Sequence, residues 1–261
     1  MPDASPAKGT RPEGAQSEAD AGRSVREMFS RIAPRYDLLN HLLSLQLDRL
    51  WRARAARRLQ AILQRPDALV LDLCCGTGDL AFALARAAKA RIVGVDFSHA
   101  MLVRAKEKHA ILAQTANPKA ATAMPFTEAD ALLLPFARSS FDLVATAFGF
   151  RNLASYASGL KEIHRVLKPG GTLAILEFSE PPPGLLGGLY RWYFRSVLPR
   201  IGGLISGDRS AYTYLPASVS RFFRPAELSA LMTKVGCQSV QFEVWTFDSV
   251  ALHTGLKSLD R

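Results

Sequence analysis

A short loop containing Gly76, Thr77 and Gly78 carries the clearest chemistry in this chain of 261 residues. The loop follows an apolar run that includes Asp72, and it precedes a stretch with helical spacing, so it joins a predicted strand to a predicted helix. Glycine lets the backbone turn tightly and approach a ligand, and the start of a helix offers free N–H groups. By itself, the pattern through Ala81 fits a structural turn or a dinucleotide-binding loop as well.

Two carboxylates at the ends of the next predicted strands extend this candidate site. Asp96 ends the second strand twenty residues after Gly76, a spacing at which a carboxylate can accept both hydroxyls of a ribose. Asp130 ends the third strand, where it can accept an adenine amino group while the Ala131 N–H donates to the ring. The first strand is thus followed by a loop for a ligand, the second ends in an acid for a ribose, and the third ends in an acid for an adenine. Together they predict a ligand that contains adenosine.

The elements that must position these residues alternate, from residue 68 onwards, between short apolar runs and longer helical stretches. Such alternation predicts an α/β fold, with a parallel sheet between two layers of helices, and the last two strands predict an antiparallel hairpin. The predicted strands cover residues 68–73, 91–96, 126–130, 140–148, 171–178, 239–245 and 249–257, and the predicted helices cover residues 79–88, 99–113, 155–167 and 224–236.

Composition indicates a globular protein of a reducing compartment. Apolar residues make up 48% of the chain, and no uninterrupted apolar run reaches the roughly 18 residues that a membrane span needs. Residues 1–23 are rich in Ala, Gly, Pro and Ser and lack an apolar signal core, which predicts a disordered tail before a single domain at 24–261. The three cysteines have neither a disulfide framework nor a zinc spacing, so we expect a cytoplasmic protein without a metal.

Two further segments lie around the alternating region. Residues 24–64 are predicted to form a helical cover, and they contain most of the excess charge of a chain whose formal charge is +10. Nucleic acid, an anionic membrane face or an anionic small ligand would attract that charge, and a solvated helix face would also explain it. Residues 181–223 interrupt the alternation as an insertion or lid. Within them, residues 185–205 suit an interfacial element, a mobile lid or a buried helical insertion.

Four motifs occur in an order typical of class I S-adenosylmethionine-dependent methyltransferases, which the chain resembles: VLDLCCGTGDLA, GVDFS, FDLV and RVLKPGG. The resemblance implies a three-layer, Rossmann-like fold with a seven-stranded, mainly parallel sheet and an antiparallel last strand. It also implies that S-adenosyl-L-methionine is the methyl donor, with the loop at its methionine end and Asp96 at its ribose. A dehydrogenase, the alternative, lacks a recognisable substrate domain here.

Further blocks resemble the menaquinone and ubiquinone biosynthesis methyltransferases over roughly residues 24–257. This resemblance implies C-methylation of a prenylated quinol, either demethylmenaquinol, which we favour, or 2-methoxy-6-polyprenyl-benzoquinol. Ala147 stands where this family often has a serine that contacts the cofactor. The blocks are Phe29 to Asn40, Phe148 to Asn152, Leu176 to Ser179 and Tyr212 to Val219, and the candidate cofactor-binding residues are Asp72, Gly76, Thr77, Gly78, Asp96, Asp130, Ala131 and Ala147.

Methylation of a ring carbon requires the electron-rich, reduced quinol, and the sulfonium already carries the electrophile. The protein must therefore align the reacting atoms and stabilise a developing phenolate. Arg151 and Asn152 follow the fourth strand, where an acceptor would meet the methyl group. We predict that Arg151 stabilises the phenolate, directly or through water, and that Asn152 orients the hydroxyl, with a loop-bracing salt bridge as the alternative for Arg151. Tyr36 would close the site, supply a base or pack between helices.

Two rival functions follow from the same features. The basic composition suggests a nucleic-acid methyltransferase, but the fourth strand is followed by Phe148-Gly149-Phe150-Arg151-Asn152 instead of an Asn/Asp-Pro-Pro-aromatic motif. We therefore expect no nucleic-acid partner. A non-catalytic protein that binds S-adenosylmethionine is the other rival. The oligomeric state, including a homodimer, and peripheral contact with an anionic membrane are left open by the sequence.

Overall fold

The structure is a computed structural model that describes residues 9–115, 124–180, 184, 187, 188, 192, 193, 196 and 209–259, with the side chains of residues 39, 43, 115 and 209–213 excepted. The strands are β1 Leu69–Leu73, β2 Arg91–Asp96, β3 Phe126–Glu128, β4 Phe141–Ala147, β5 Leu167–Phe178, β6 Cys237–Trp245 and β7 Val250–Lys257. The helices are α1 Glu18–Ile32, α2 Tyr36–Leu43, α3 Leu47–Arg58, α4 Gln60–Leu63, α5 Asp79–Arg86, α6 His99–Thr115, α7 Tyr156–Val166, α8 Arg209–Ser220 and α9 Pro225–Lys234.

The strands form one seven-stranded sheet in the order β3-β2-β1-β4-β5-β7-β6. Strands β1 to β5 are parallel, and β7 is antiparallel to both of its neighbours. The chain moves from β1 to one side of the sheet and returns at β4, so the loops that follow β1 and β4 separate and leave a crevice at the carboxyl edge. The predicted α/β fold with its antiparallel last strand is confirmed.

Apolar side chains fill both faces of the sheet. On one face, α3, α5 and α6 pack over residues such as Val70 and Leu143, and on the other face α7 and α9 pack over residues such as Leu71 and Val144. Successive residues of a strand point to opposite faces, so each central strand contributes to both layers. This burial on both faces explains why the strands appear in the sequence as nearly continuous apolar runs.

The N-terminal segment differs from its prediction. Helix α1 begins at Glu18 because the Ser17 hydroxyl accepts the backbone N–H of Asp20 at 3.1 Å. Thr10 is buried, and its backbone N–H donates to the carbonyl of Leu153 at 2.8 Å. The predicted disordered tail is therefore wrong for residues 9–23, and residues 1–8 lie outside the described part of the chain.

Helices α1 to α4 occupy the segment for which a helical cover is predicted. The predicted insertion at 181–223 is described mainly through α8, and most of the segment 185–205 lies outside the described residues. Within the part of the chain that is described, no helix is long and apolar enough to cross a membrane.

Candidate active site

A cavity of about 620 Å³ opens at the carboxyl edge of the sheet. Its walls come from the loops after β1, β2, β3 and β4, and from side chains of the helical cover, which include Phe29, Tyr36 and Arg52. Sites for small molecules generally enclose roughly 300 to 1,000 Å³. The cavity therefore has the size of a site for a cofactor together with part of a second ligand.

The loop after β1 requires glycine at two positions, for different reasons. Gly76 has φ 55° and Gly78 has φ 87°, both in the left-handed region that side chains disfavour. Gly76 lines the cavity, whereas Gly78 precedes α5 behind it, where an added Cβ would lie 2.9 Å from the ring of Phe82. Gly76 thus allows close approach of a ligand, and Gly78 allows the helix to pack.

Asp72 lies at the bottom of the cavity as a fully buried carboxylate. Its Oδ2 accepts the backbone N–H of Ala81 at 2.8 Å, while its Oδ1 has no hydrogen-bond partner among the described residues. Burial raises the pKa of Asp72 well above its usual value, and the nearby Arg52 guanidinium opposes that shift. An unpaired buried carboxylate oxygen is unfavourable unless a donor or cation reaches it. The site therefore fits a ligand that carries an ammonium group.

The two other predicted acids also line the cavity. Asp96 is buried and accepts backbone N–H groups from Gly76 at 2.9 Å and from Ser98 at 2.8 Å. Burial raises the pKa of Asp96 to about 6 despite these hydrogen bonds. Each carboxylate oxygen has more than one acceptor site, so both oxygens can still accept ribose hydroxyls. Asp130 is exposed at the mouth of the cavity and accepts the N–H of Leu132 at 2.8 Å.

Arg52 is a cavity residue that the sequence analysis missed. It is buried on α3, pairs with Asp48 one turn earlier, and lies 3.8 Å from the Oδ2 of Asp79. In the sequence it is one of several arginines at helical spacing that a solvated face would explain equally well. The adjacent Trp51, which is also buried, was the available sign that this part of α3 faces the core.

Arg151 is bound within the loop after β4 and does not line the cavity. Its Nη1 donates to Glu177 Oε1 at 2.8 Å and to the carbonyl of Phe148, and its backbone N–H donates to Glu177 Oε2 at 3.1 Å. Its Nε lies 3.4 Å from Ser218 Oγ on α8. A direct contact of Arg151 with an acceptor does not fit this geometry, because the guanidinium is buried and does not line the cavity. The loop-bracing alternative fits it.

Asn152 does line the cavity, and it is oriented by residues that are distant in sequence. The Tyr214 hydroxyl donates to Asn152 Oδ1 at 3.0 Å, and Thr10 Oγ1 lies 2.7 Å from the same hydroxyl. Because Tyr214 donates its proton to Asn152, Thr10 donates to Tyr214. The Asn152 amide also makes a long contact with the carbonyl of Phe148 at 3.4 Å, which leaves an N–H available to a ligand.

Tyr36 closes the cavity from α2. Burial raises the pKa of its hydroxyl, which favours the protonated form, and a protonated hydroxyl can donate to a ligand in the cavity. Next to it, Asp37 pairs with Lys108 at 2.8 Å and accepts the hydroxyl of Thr77. These contacts hold the helical cover against the loop after β1.

Comparisons with known proteins agree with this site. Residues 16–257 match the ubiE/COQ5 methyltransferase family. The chain belongs to that family. It is 49% identical over 229 residues to the demethylmenaquinone methyltransferase of Thermus thermophilus, an alignment that covers 87% of this chain and 99% of that protein. It is 44% identical to the ubiquinone/menaquinone biosynthesis C-methyltransferase UbiE of Syntrophotalea carbinolica, over 91% of this chain and 96% of that protein.

Membership of the ubiE/COQ5 family confirms the recognition made from the sequence motifs, and with it S-adenosylmethionine-dependent C-methyl transfer as the activity. A S-adenosylmethionine-dependent methyltransferase from Thermotoga maritima superposes with a TM-score of 0.61 at 20% identity, covering 90% of this chain and 100% of that one, which supports the fold. For this family member, the predicted site residues that line the cavity are Tyr36, Asp72, Gly76, Thr77, Asp96, Asp130, Ala131, Ala147 and Asn152.

Proposed function

We propose that this protein methylates a ring carbon of demethylmenaquinol, with S-adenosyl-L-methionine as the donor. The observation that carries the donor assignment is the unpaired Oδ1 of Asp72 at the bottom of the cavity. The naphthoquinol acceptor is supported by relatives at 49% and 47% identity that are named demethylmenaquinone methyltransferase. A benzoquinol of the ubiquinone pathway is the second candidate, since other relatives carry names that include both quinones.

The cavity walls offer a partner for each part of the donor. Asp72 would bind the ammonium group of the methionine end, and the guanidinium of Arg52 would bind its carboxylate, so that each charge meets its opposite. Asp96 would accept the ribose hydroxyls. Asp130 would accept the adenine amino group, beside the backbone N–H of Ala131. When bound, the donor supplies an electrophilic methyl group on a sulfonium.

The acceptor would lie between Asn152 and Tyr36. The Asn152 amide N–H and the Tyr36 hydroxyl are both donors, and they can bind the oxygen of a quinol as it gains phenolate character. The guanidinium groups of Arg52 and Arg151 produce a positive electrostatic potential at this end of the cavity, since the charge of each favours the ionised form of Tyr36. In this proposal Arg151 is a positioning residue, because it acts through the loop that presents Asn152.

The reaction needs no covalent intermediate with the protein. The ring carbon would gain the methyl group as the bond between that group and the donor sulfur breaks, and S-adenosylhomocysteine would leave. The ring carbon would then lose its hydrogen as a proton to water, which restores the aromatic ring. Burial raises the pKa of Cys74 and Cys75 well above the usual value, so both remain thiols and do not compete for the methyl group.

No metal is needed for this reaction. Among the described residues, His41, Asp48 and Asp79 lie close enough together to hold a metal ion, but Arg52 already neutralises the two carboxylates.

We also propose that the reaction takes place at the cytoplasmic face of the membrane. Each CH₂ of a prenyl tail gains about 0.8 kcal/mol when it leaves water, so a long-chain quinol stays in the bilayer and the enzyme must approach it. The charge of +10 favours an anionic lipid surface.

The test is incubation with labelled S-adenosylmethionine and two reduced short-chain quinols, one demethylmenaquinol and one benzoquinol. Label should enter the naphthoquinol, and titration calorimetry should detect binding of the donor. Label in the benzoquinol alone would assign the second candidate. Heat with NAD(H) but none with S-adenosylmethionine would contradict the donor assignment.

A further inference from the structure

The turn between α2 and α3 exposes several large apolar side chains. Leu38 is 61% exposed and Leu45 is 74% exposed, and about half of Leu42 and Leu50 is also exposed. Leu38 and Leu42 are four residues apart and therefore share one side of α2. Tyr36, at the start of the same helix, lines the cavity. Helix α2 thus contributes to the active-site wall while Leu38 and Leu42 face solvent.

A second segment, which contacts α3, carries an exposed aromatic residue. Trp51 on α3 donates its Nε1–H to the Thr246 hydroxyl at 2.8 Å, which holds the turn between β6 and β7 against α3. Phe247 in this turn is 73% exposed and has φ 56°, a conformation that is uncommon for a bulky residue. The turn therefore holds a large apolar ring in solvent.

The charge beside the exposed leucines is positive. Arg49 lies exposed between Leu45 and Leu50. The acidic residues of α2 and α3 are neutralised within the fold, because Asp37 pairs with Lys108 and the buried Asp48 pairs with Arg52. The exposed leucines are thus accompanied by cationic rather than anionic groups.

We propose that this surface, the apolar corner formed by Leu38, Leu42, Leu45, Arg49, Leu50 and Phe247, inserts into an anionic lipid surface. Apolar side chains beside arginine suit the boundary between acyl chains and anionic headgroups. A second copy bound through this surface by two-fold symmetry would bring two Arg49 side chains into one interface, which the repulsion of like charges opposes. The inference rests on the proposed function, in which the acceptor resides in the bilayer.

The apolar corner would also shorten the path of the acceptor. An α-helix with its side chains is about 10 to 12 Å across. A bilayer on the outer side of α2 would therefore lie within about that distance of the cavity wall formed by Tyr36. The quinol ring could enter the cavity while its prenyl tail remains in lipid.

Vesicle flotation of the full chain tests the inference, with phosphatidylcholine mixed with phosphatidylglycerol as the probe. The double variant L42S/L45S should lower the partition coefficient by about tenfold or more, because two apolar side chains no longer enter the lipid. Ile111→Ser is the matched control, since Ile111 is 59% exposed on α6, and it should bind like the wild type. Arg49→Gln should weaken binding about fivefold. Arg91→Gln, at the amino end of β2, should leave it unchanged.

Three results would overturn the inference: no flotation of the wild type, equal flotation of L42S/L45S, or an equal loss in Ile111→Ser. A wild-type dimer in sedimentation experiments without lipid that L42S/L45S converts to a monomer would also overturn it, and would assign the corner to a second copy.

Methylation of a short-chain demethylmenaquinol in solution separates this inference from the proposed function. Wild type and L42S/L45S should act equally on that acceptor, with equal donor affinity, whereas L42S/L45S should be slower on a long-chain quinol in vesicles. Failure of both proteins on the short-chain acceptor would contradict the proposed function and leave vesicle binding as an independent result.

Discussion

The donor half and the acceptor half of the cavity are built from contacts of very different range. In the donor half, the loop after β1 meets the end of β2 through the hydrogen bond from Gly76 to Asp96, which spans 20 residues. In the acceptor half, Thr10 meets Tyr214 across 204 residues, and Tyr214 in turn orients Asn152. Neighbouring parallel strands bring the donor residues together by themselves, whereas the acceptor wall depends on how distant segments pack.

This difference leads to separate expectations for the two halves. Changes in the donor half should alter cofactor affinity with little effect on folding, because its residues face the cavity from the strand ends and the loops that follow them. Changes in the acceptor half should alter stability or acceptor binding, because its residues also join the N-terminal segment and α8 to the sheet.

The largest effect is expected for Glu177→Ala, which removes the partner of Arg151 from a buried ion pair. Leaving one buried charge unpaired costs about 3–5 kcal/mol, so the free energy of unfolding should fall by that amount in urea titrations. Glu243→Ala is the control, because its pair with Arg58 is partly exposed and should contribute within about 1 kcal/mol. Equal stability of both variants would show that the acceptor loop does not depend on this pair.

Asp72→Asn should separate binding from folding in the donor half. The affinity for S-adenosylmethionine should fall about 30- to 100-fold in calorimetry, because the ammonium group loses its charged partner. The melting temperature without cofactor should stay the same or rise, since burial already disfavours the ionised carboxylate. A variant that unfolds, or one that binds the cofactor normally, would contradict the assigned role.

The pH dependence of cofactor binding should reveal Asp96. Ribose hydroxyls favour its ionised form, so binding should expel the proton, and affinity should fall by up to about tenfold per pH unit below pH about 6. The pKa of about 6 in the folded protein lies above the usual pKa of 3.8 for this carboxyl, so Asp96 makes the cofactor-free protein less stable as the pH rises between these values. Affinity should be constant at higher pH. Asp96→Asn should make the profile shallower, and an unchanged profile would assign the proton elsewhere.

The smallest effect is expected for Tyr214→Phe. Without the hydrogen bond from Tyr214, the Asn152 amide is no longer held in place, and the binding free energy of the quinol should weaken by about 1 kcal/mol. The KM for the quinol should therefore rise about fivefold while the cofactor Kd stays constant. Thr10→Val should have a weaker effect in the same direction, because Thr10 acts through Tyr214. An equal loss of cofactor affinity would mean that the two halves are not separable.

Prediction from sequence succeeded where a residue's position along a strand determined its place in the site. Asp96 ends β2 in the structure, as the apolar run over residues 91–96 predicted, and it lines the cavity. Prediction failed where it relied on composition, because composition does not reveal the individual contacts of a segment. The segment before residue 23 looked disordered because it lacks large apolar side chains, but Ser17 caps α1 and Thr10 binds the backbone of Leu153. Hydrogen bonds of this kind leave little trace in composition.

The sequence by itself determined the sheet and which strand-end residues meet at its edge, because parallel strands place their carboxyl ends together. Only the tertiary structure decided which arginine faces the cavity. Arg49 and Arg52 lie on the same helix, yet one is exposed and the other is buried beside Asp72. Likewise, only packing decided that Arg151 meets Glu177. A side chain's neighbours across the fold depend on what packs against it, and local spacing does not encode that.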